Sequence, residues 1–102
     1  MAQSRGTTRE RQVRKRLEAD GWVCVRAAGS LGPVDLVIMR CGWTPRLVQI
    51  KSDARGPYQN FRPKDRQELA ALALRAGATA WLIHWPPRGE MVWRAAHEWP
   101  AA

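Results

Sequence analysis

A single carboxylate interrupts the most apolar stretch of the chain: Asp35 stands inside Val34 to Met39, a run that otherwise reads as a strand buried on both faces. A carboxylate buried without a partner is costly, so something must neutralise it. Twelve residues after the end of that run lies Lys51, closing the sequence Val48-Gln49-Ile50-Lys51, in which Gln49 and Lys51 fall on one face of a strand and Val48 and Ile50 on the other. Either Lys51 or a divalent cation could balance Asp35. Oxygen ligands for Mg²⁺ or Mn²⁺ together with a lysine that orients water or offsets negative charge are the parts a phosphodiesterase needs.

The elements that must position these residues can be read in order. Thr7 to Asp20 is expected to be a helix: Thr7-x-x-Glu10 matches a capping box, Val13 and Leu17 share a face, and Gly21 supplies the stop. Glu10, three residues before Val13, lies on that same face. Trp22 to Arg26 reads as a strand, 28–33 as a Gly- and Pro-containing loop, Val34 to Met39 as a strand, Cys41 to Pro45 as a turn, and Arg46 to Ser52 as a strand. The hairpin sets the last two strands side by side. A polar, basic loop from Asp53 to Arg62 precedes a second helix opened by Pro63, with an apolar face at Leu69, Leu72, Ala73 and Ala76, and closed by Gly77. Thr79 to Trp85 and Met91 to Arg94 return as strands. The expected fold is α/β, a mixed central sheet of about five strands flanked by two main helices, in one domain over residues 1–102.

The chain has 102 residues, enough for one domain with a modest core. Seventeen Lys and Arg against nine Asp and Glu give a net charge of +8, mostly from arginine, whose planar fork suits phosphate oxygens and points to a polyanionic partner. No signal-peptide pattern or membrane-length apolar run is seen, so an intracellular, cytoplasmic protein with no membrane partner is expected. Cys24 and Cys41 lack metal-ligand spacing and read as reduced, partly buried thiols. His84 and His97 have no second His or Cys at ligand spacing and read as a core and a surface histidine.

Four blocks in this order carry a resemblance: Arg5-Gly6 with Glu10-Arg11, Val25-Arg26-Ala27-Ala28-Gly29-Ser30, Gly32-Pro33-Val34-Asp35-Leu36-Val37, and Val48-Gln49-Ile50-Lys51. Together they resemble the archaeal-type Holliday junction resolvases of the PD-(D/E)xK nuclease superfamily. The resemblance implies a restriction-endonuclease-like fold in a single nuclease domain and metal-dependent cleavage of branched DNA at four-way junctions, with Mg²⁺ or Mn²⁺, no small-molecule cofactor and a homodimer whose symmetry matches that of the junction; it is compatible with a phage-encoded protein acting in a host cell. It implies that Asp35 is a metal ligand, that Lys51 is the catalytic lysine, that Glu10 and Ser30 belong to the active site, with Glu10 beside the metal, and that Arg11 contacts the scissile region.

Position 49 departs from the family pattern, which has Glu where this chain has Gln. The amide offers a neutral oxygen in nearly the same place, so metal affinity and water activation should fall. Gln49 is either native, as in the Gln-x-Lys of similar Mrr-like restriction nucleases, or an isosteric exchange that disables the site. Two further readings follow: a catalytically silent module that binds branched DNA, and a flap, fork or Mrr-like nuclease of the same superfamily. Phosphate contacts are expected from Arg5, Arg9, Arg11, Arg26, Arg55, Arg62 and Lys64. Tyr58 and Phe61 could stack on unpaired bases or pack back on the protein. Six tryptophans are many for so small a core, and oligomerisation is one way to cover them.

Overall fold

The computed structural model describes residues 5–27 and 31–101, and side chains from Thr8 onward within those ranges. Ser30 and the side chain of Arg5 lie outside the described residues. The elements run α1 (Arg5–Ala19), β1 (Val23–Arg26), β2 (Leu36–Met39), β3 (Arg46–Lys51), α2 (Pro63–Ala76), β4 (Thr79–His84), β5 (Val92–Ala95) and a short 3₁₀ turn at Ala96–Glu98. This is the expected order, and the five strands form one mixed sheet in the order β1-β2-β3-β4-β5. β3 and β4 are parallel and the other pairs antiparallel. A parallel pair needs a crossover, which α2 provides.

Helix α1 buries Val13 and Leu17, four residues apart, on one face of the sheet. Its end is set by Gly21, at φ 99°, where the Gly21 N–H reaches the Glu18 carbonyl and the Trp22 N–H the Leu17 carbonyl. The core on this side comprises Val13, Leu17, Trp22, Leu36, Ile38, Val48, Ile50 and Ile83. Helix α2 covers the other face, where Val34, Leu47, Phe61, Leu69, Ala73 and Leu82 pack together. Pro63 opens it, and Gly77 at φ 66° closes it by donating to the carbonyls at Ala73 and Leu74.

Several local expectations are corrected. Helix α1 begins two residues before Thr7, so Glu10 is not the third residue of a capping box and its carboxylate is free for a tertiary partner. Asp35 precedes the ladder of β2 proper, although the Ala27 N–H to Asp35 carbonyl and Asp35 N–H to Val48 carbonyl bonds, both 2.9 Å, continue the sheet through it. β2 is not covered on both sides: Leu36 and Ile38 are buried, but Met39 is exposed because α2 lies over β3 and β4. β3 is the strand buried through both faces, from Leu47 to Ile50. On α2, Ala76 is exposed and Arg66 is buried instead, donating to the Phe61 carbonyl. Phe61 is fully buried, edge-on to Trp99 at 4.9 Å, and is unavailable for stacking on bases; Tyr58 is half-buried beside the Arg66 guanidinium. Cys24 is partly buried, its thiol pushed up to about 11 by burial, whereas Cys41 is exposed.

Of the tryptophans, Trp22 is buried, Trp81, Trp85, Trp93 and Trp99 are half-buried, and Trp43 is exposed. Trp22, Trp43, Trp81 and Trp93 surround the Arg46 guanidinium with ring centroids 4.2–5.4 Å away.

Candidate functional site

The loop entering β2 and the last residues of β3 meet at one end of the sheet, and there Asp35 receives its neighbours. Its Oδ2 accepts from the Gln49 Nε2 amide and from the Ile50 backbone N–H, each at 2.8 Å. Gln49 is buried and half of this arrangement follows from its position: the pairing of Leu36 with Val48 leaves the residue before Leu36 beside the one after Val48. A carboxylate only accepts, so Gln49 must turn its NH₂ toward Asp35, leaving its carbonyl oxygen on the far side.

Burial is the largest influence on the Asp35 carboxyl and pushes its pKa above the usual carboxylate range. The Ile50 N–H opposes that shift, Glu10 adds to it by like-charge repulsion, and Lys51 and Arg26 draw the pKa back down. Glu10, Arg26, Asp35 and Lys51 therefore act on one another through space, which brings together residues from α1, β1, the start of β2 and the end of β3. Glu10 does not face Asp35 unbalanced. Its Oε1 accepts from Arg26 Nε at 2.9 Å, and the Glu10 side chain is only 14% exposed against 50% for Arg26.

The donor set can be tested against a hard divalent cation. Among the described residues no group of three His, Cys, Asp or Glu side chains gathers at one point. Mg²⁺ needs fewer than that, since it is commonly held by one or two carboxylates with water and substrate phosphate completing the shell. Asp35 Oδ1 has no hydrogen-bond partner among the described residues, and the Gln49 carbonyl oxygen and the second oxygen of Glu10 are in the same condition. These oxygens fit a hard cation, with one formal charge fewer than a glutamate at position 49 would give. With glutamate there, two carboxylates would meet at hydrogen-bond distance and would require a cation or proton between them. The Gln49 N–H takes that place for Asp35.

The remaining basic residues differ in what already holds them. Arg9 is bound to its own chain, donating to Gln12 Oε1 at 2.9 Å and to the Pro86 carbonyl at 3.2 Å while stacking on Trp85. Arg55 is paired with Asp53. Arg11 and Arg62 are exposed, and Lys64 only grazes Glu68 at 4.0 Å. His84 is buried as expected and His97 exposed. Three features had no counterpart in the sequence reading: the Glu10–Arg26 pair, the amide of Gln49 serving as donor, and the contact of His84 with the Asp53 carbonyl at 2.8 Å. Asp53-x-Arg55 ahead of Gly56-Pro57 is a readable turn signal, but the other contacts join residues far apart in the chain.

Comparison with known proteins gives a consistent picture. The family model described as archaeal Holliday junction resolvase (Hjc) matches residues 1–98. Twelve chains of solved structures are similar, among them a 1.6 Å structure of Archaeoglobus fulgidus Hjc, described as a Holliday junction resolvase from an archaeal hyperthermophile. It superposes with a TM-score of 0.73 at 22% identity, over 92% of this chain and 75% of that one. At that identity the likeness is one of fold. No curated protein sequence matches significantly.

Proposed function

Because the chain belongs to the archaeal Holliday junction resolvase family, we propose that it cuts four-way DNA junctions by divalent-metal-dependent hydrolysis of phosphodiester bonds, acting as a single nuclease domain inside the cell. The observation that carries this reading is the partly buried Asp35 carboxylate, held by the Gln49 and Ile50 N–H groups and ringed by Lys51, Arg26 and Glu10. Asp35, with help from the Gln49 carbonyl oxygen and Glu10, would hold Mg²⁺ or Mn²⁺. When bound, the cation would polarise the scissile phosphoryl group. Lys51 offsets the negative charge that develops on that group or orients the attacking water. Gln49 keeps Asp35 in one rotamer, and Arg26 keeps Glu10 from repelling it. Ser30, Arg5 and Arg11 join the site by the family pattern.

The substrate is read through phosphates rather than base edges, from the net charge of +8 and the arginines near the reacting end. A homodimer would present two such sites to a two-fold junction. Support for a dimer comes from the uncovered face of β1 and β2, where the cross-strand pairs Val23–Met39 and Val25–Val37 lie side by side, with Val23 61% and Val25 48% exposed.

One observation favours a second reading. Gln49 satisfies Asp35 without a cation, as a silent junction-binding module would require. The deciding experiment is cleavage of a labelled four-way junction, a flap and a linear duplex with Mg²⁺ or Mn²⁺ by this protein, Gln49→Glu and Asp35→Asn. Symmetric junction cleavage lost in Asp35→Asn sustains the resolvase. Tight junction binding with no cleavage by either this protein or Gln49→Glu replaces it with the binding module, and preferred flap cleavage with the related nuclease.

A further inference from the structure

Beyond Lys51 the chain forms an open cleft of about 540 Å³ lined by Ile50, Lys51, Ser52, Asp53, Ala54, Arg55 and Asn60. Its wall is more ordered in its bonding than a surface loop requires. Asp53 Oδ1 accepts from the Arg55 backbone N–H at 2.8 Å and from Arg55 Nε at 3.1 Å, and Oδ2 accepts from Arg55 Nη2 and Asn60 Nδ2, each at 2.9 Å. Both oxygens are thus occupied twice, and the Asp53 carboxyl is held down to about 2 chiefly by Arg55. A carboxylate so engaged has little left for a cation.

From below, the same residue is fixed by His84. The Asp53 carbonyl can only accept, so His84 Nε2 carries the proton and donates to it at 2.8 Å. His84 is buried and lies in register with Lys51 on the neighbouring parallel strand, while the Trp85 N–H donates to the Lys51 carbonyl at 2.9 Å. The reacting lysine and the Asp53 turn are therefore tied to the same end of β4.

The consequence falls on Arg55. Its side chain is 72% exposed, yet Asp53 takes the edge formed by Nε and one Nη2 hydrogen. Three of the five guanidinium N–H groups remain, along the Nη1–Nη2 edge. That edge matches two oxygens of a phosphate. An arginine fixed on one edge loses less freedom on binding than a free one, which favours a placed contact over a diffuse one.

Resting on the nuclease reading above, we propose that this cleft is a seat for a second phosphodiester of the DNA, next to the scissile one, with Arg55 as its ligand and Asp53, Asn60 and His84 as positioning residues. The test is binding, without divalent cation, of four-way junctions and linear duplexes carrying one uncharged methylphosphonate linkage at a time along the cleaved strand. One linkage flanking the cleavage position should lower the affinity of the unaltered protein about tenfold, the scale of one charged hydrogen bond. Arg55→Ala should lose about the same on unmodified DNA and become indifferent to that linkage. His84→Phe keeps the ring and removes the N–H; its loss should not multiply with that of Arg55→Ala in the double variant. If His84→Phe does not fold, Asp53→Asn serves, and the effect should spread over several linkages as Arg55 is released. The seat is refuted if Arg55→Ala senses every linkage as the unaltered protein does, or if the His84 and Arg55 effects multiply. An Arg55-dependent linkage effect in a protein that binds duplex as tightly as junction would refute junction specificity and leave the seat standing.

Discussion

At its first residue β3 carries Arg46 into a cage of four indole rings; at its last three it carries Gln49 and Lys51 to the buried carboxylate of Asp35. Both ends hold a half-buried charge. Burial lowers the pKa of the Arg46 guanidinium and raises that of the Asp35 carboxyl, each toward its neutral form. The compensation differs. Arg46 meets only ring faces, which attract a cation wherever it lies over them and leave nothing reactive. Asp35 meets two N–H donors on one oxygen and keeps the other without a partner among the described residues. The first arrangement is complete within the chain; the second leaves one carboxylate oxygen without a partner among the described residues. A partly buried charge alone thus does not single out a candidate reactive centre, whereas one left incompletely satisfied does.

The largest effect that would sharpen this contrast is on catalysis. Asp35→Asn should lower junction cleavage on the order of 10²–10³-fold, the scale of losing one charge-stabilising group. Its thermal midpoint should rise by a few degrees at neutral pH. The sign follows from the raised pKa: the folded state binds the Asp35 proton more readily than the unfolded chain does, so this carboxyl penalises folding increasingly as pH rises above the ordinary carboxylate range. The gain of Asp35→Asn should shrink to nothing in acid, and thermal melts from pH 3 to 8 would check it. A midpoint lowered at pH 7 would mean that Asp35 is a structural residue like Arg46.

Gln49→Glu comes next, with Mg²⁺-dependent cleavage rising about 10–100-fold, as expected when a stronger oxygen donor is restored to a metal site. Without divalent cation the same variant should melt earlier, because two carboxylates then face each other. Melting with and without Mg²⁺ separates the two effects; equal midpoints would show that no cation is held there. At the other end of β3, Arg46→Ala should cost about 2 kcal/mol through loss of the cation–ring contacts, on the order of 10 °C in midpoint. Arg46→Met fills the cage without charge and should cost less. Neither should change the cleavage rate of the folded protein, and a rate loss in Arg46→Met would break the comparison. The smallest effect is at the Glu10–Arg26 pair: Arg26→Gln should cost under about 1 kcal/mol of stability, while the pH profile of cleavage shifts upward because Asp35 loses a positive neighbour.

Much of this was legible along the chain. Asp35 was visible as an anomaly because an acid in an apolar strand has no cheap explanation, and the alternation of Val48, Gln49, Ile50 and Lys51 fixed which side chains would share a face. Helix stops at Gly21 and Gly77 were readable because each glycine follows an apolar-periodic run and tolerates the left-handed backbone that ends a helix there. The errors came where local pattern competed with distant partners. Thr7-x-x-Glu10 matched a capping box, yet Glu10 pairs with Arg26, sixteen residues on. For Phe61 the local pattern left base stacking and packing back on the protein both open, and Trp99 receives it in the core.

By itself, then, the sequence determined the order of elements, the placement of Asp35 opposite the end of β3, and the excess of phosphate-seeking charge, because periodicity, turn chemistry and composition act over a few residues at a time. Only the tertiary structure decided that Gln49 turns its N–H to Asp35, that four tryptophans close on Arg46, and that His84 meets the Asp53 carbonyl. Those contacts join strands and loops that are remote in the chain, and hydrogen-bond direction is set by which acceptor the folded sheet brings within reach.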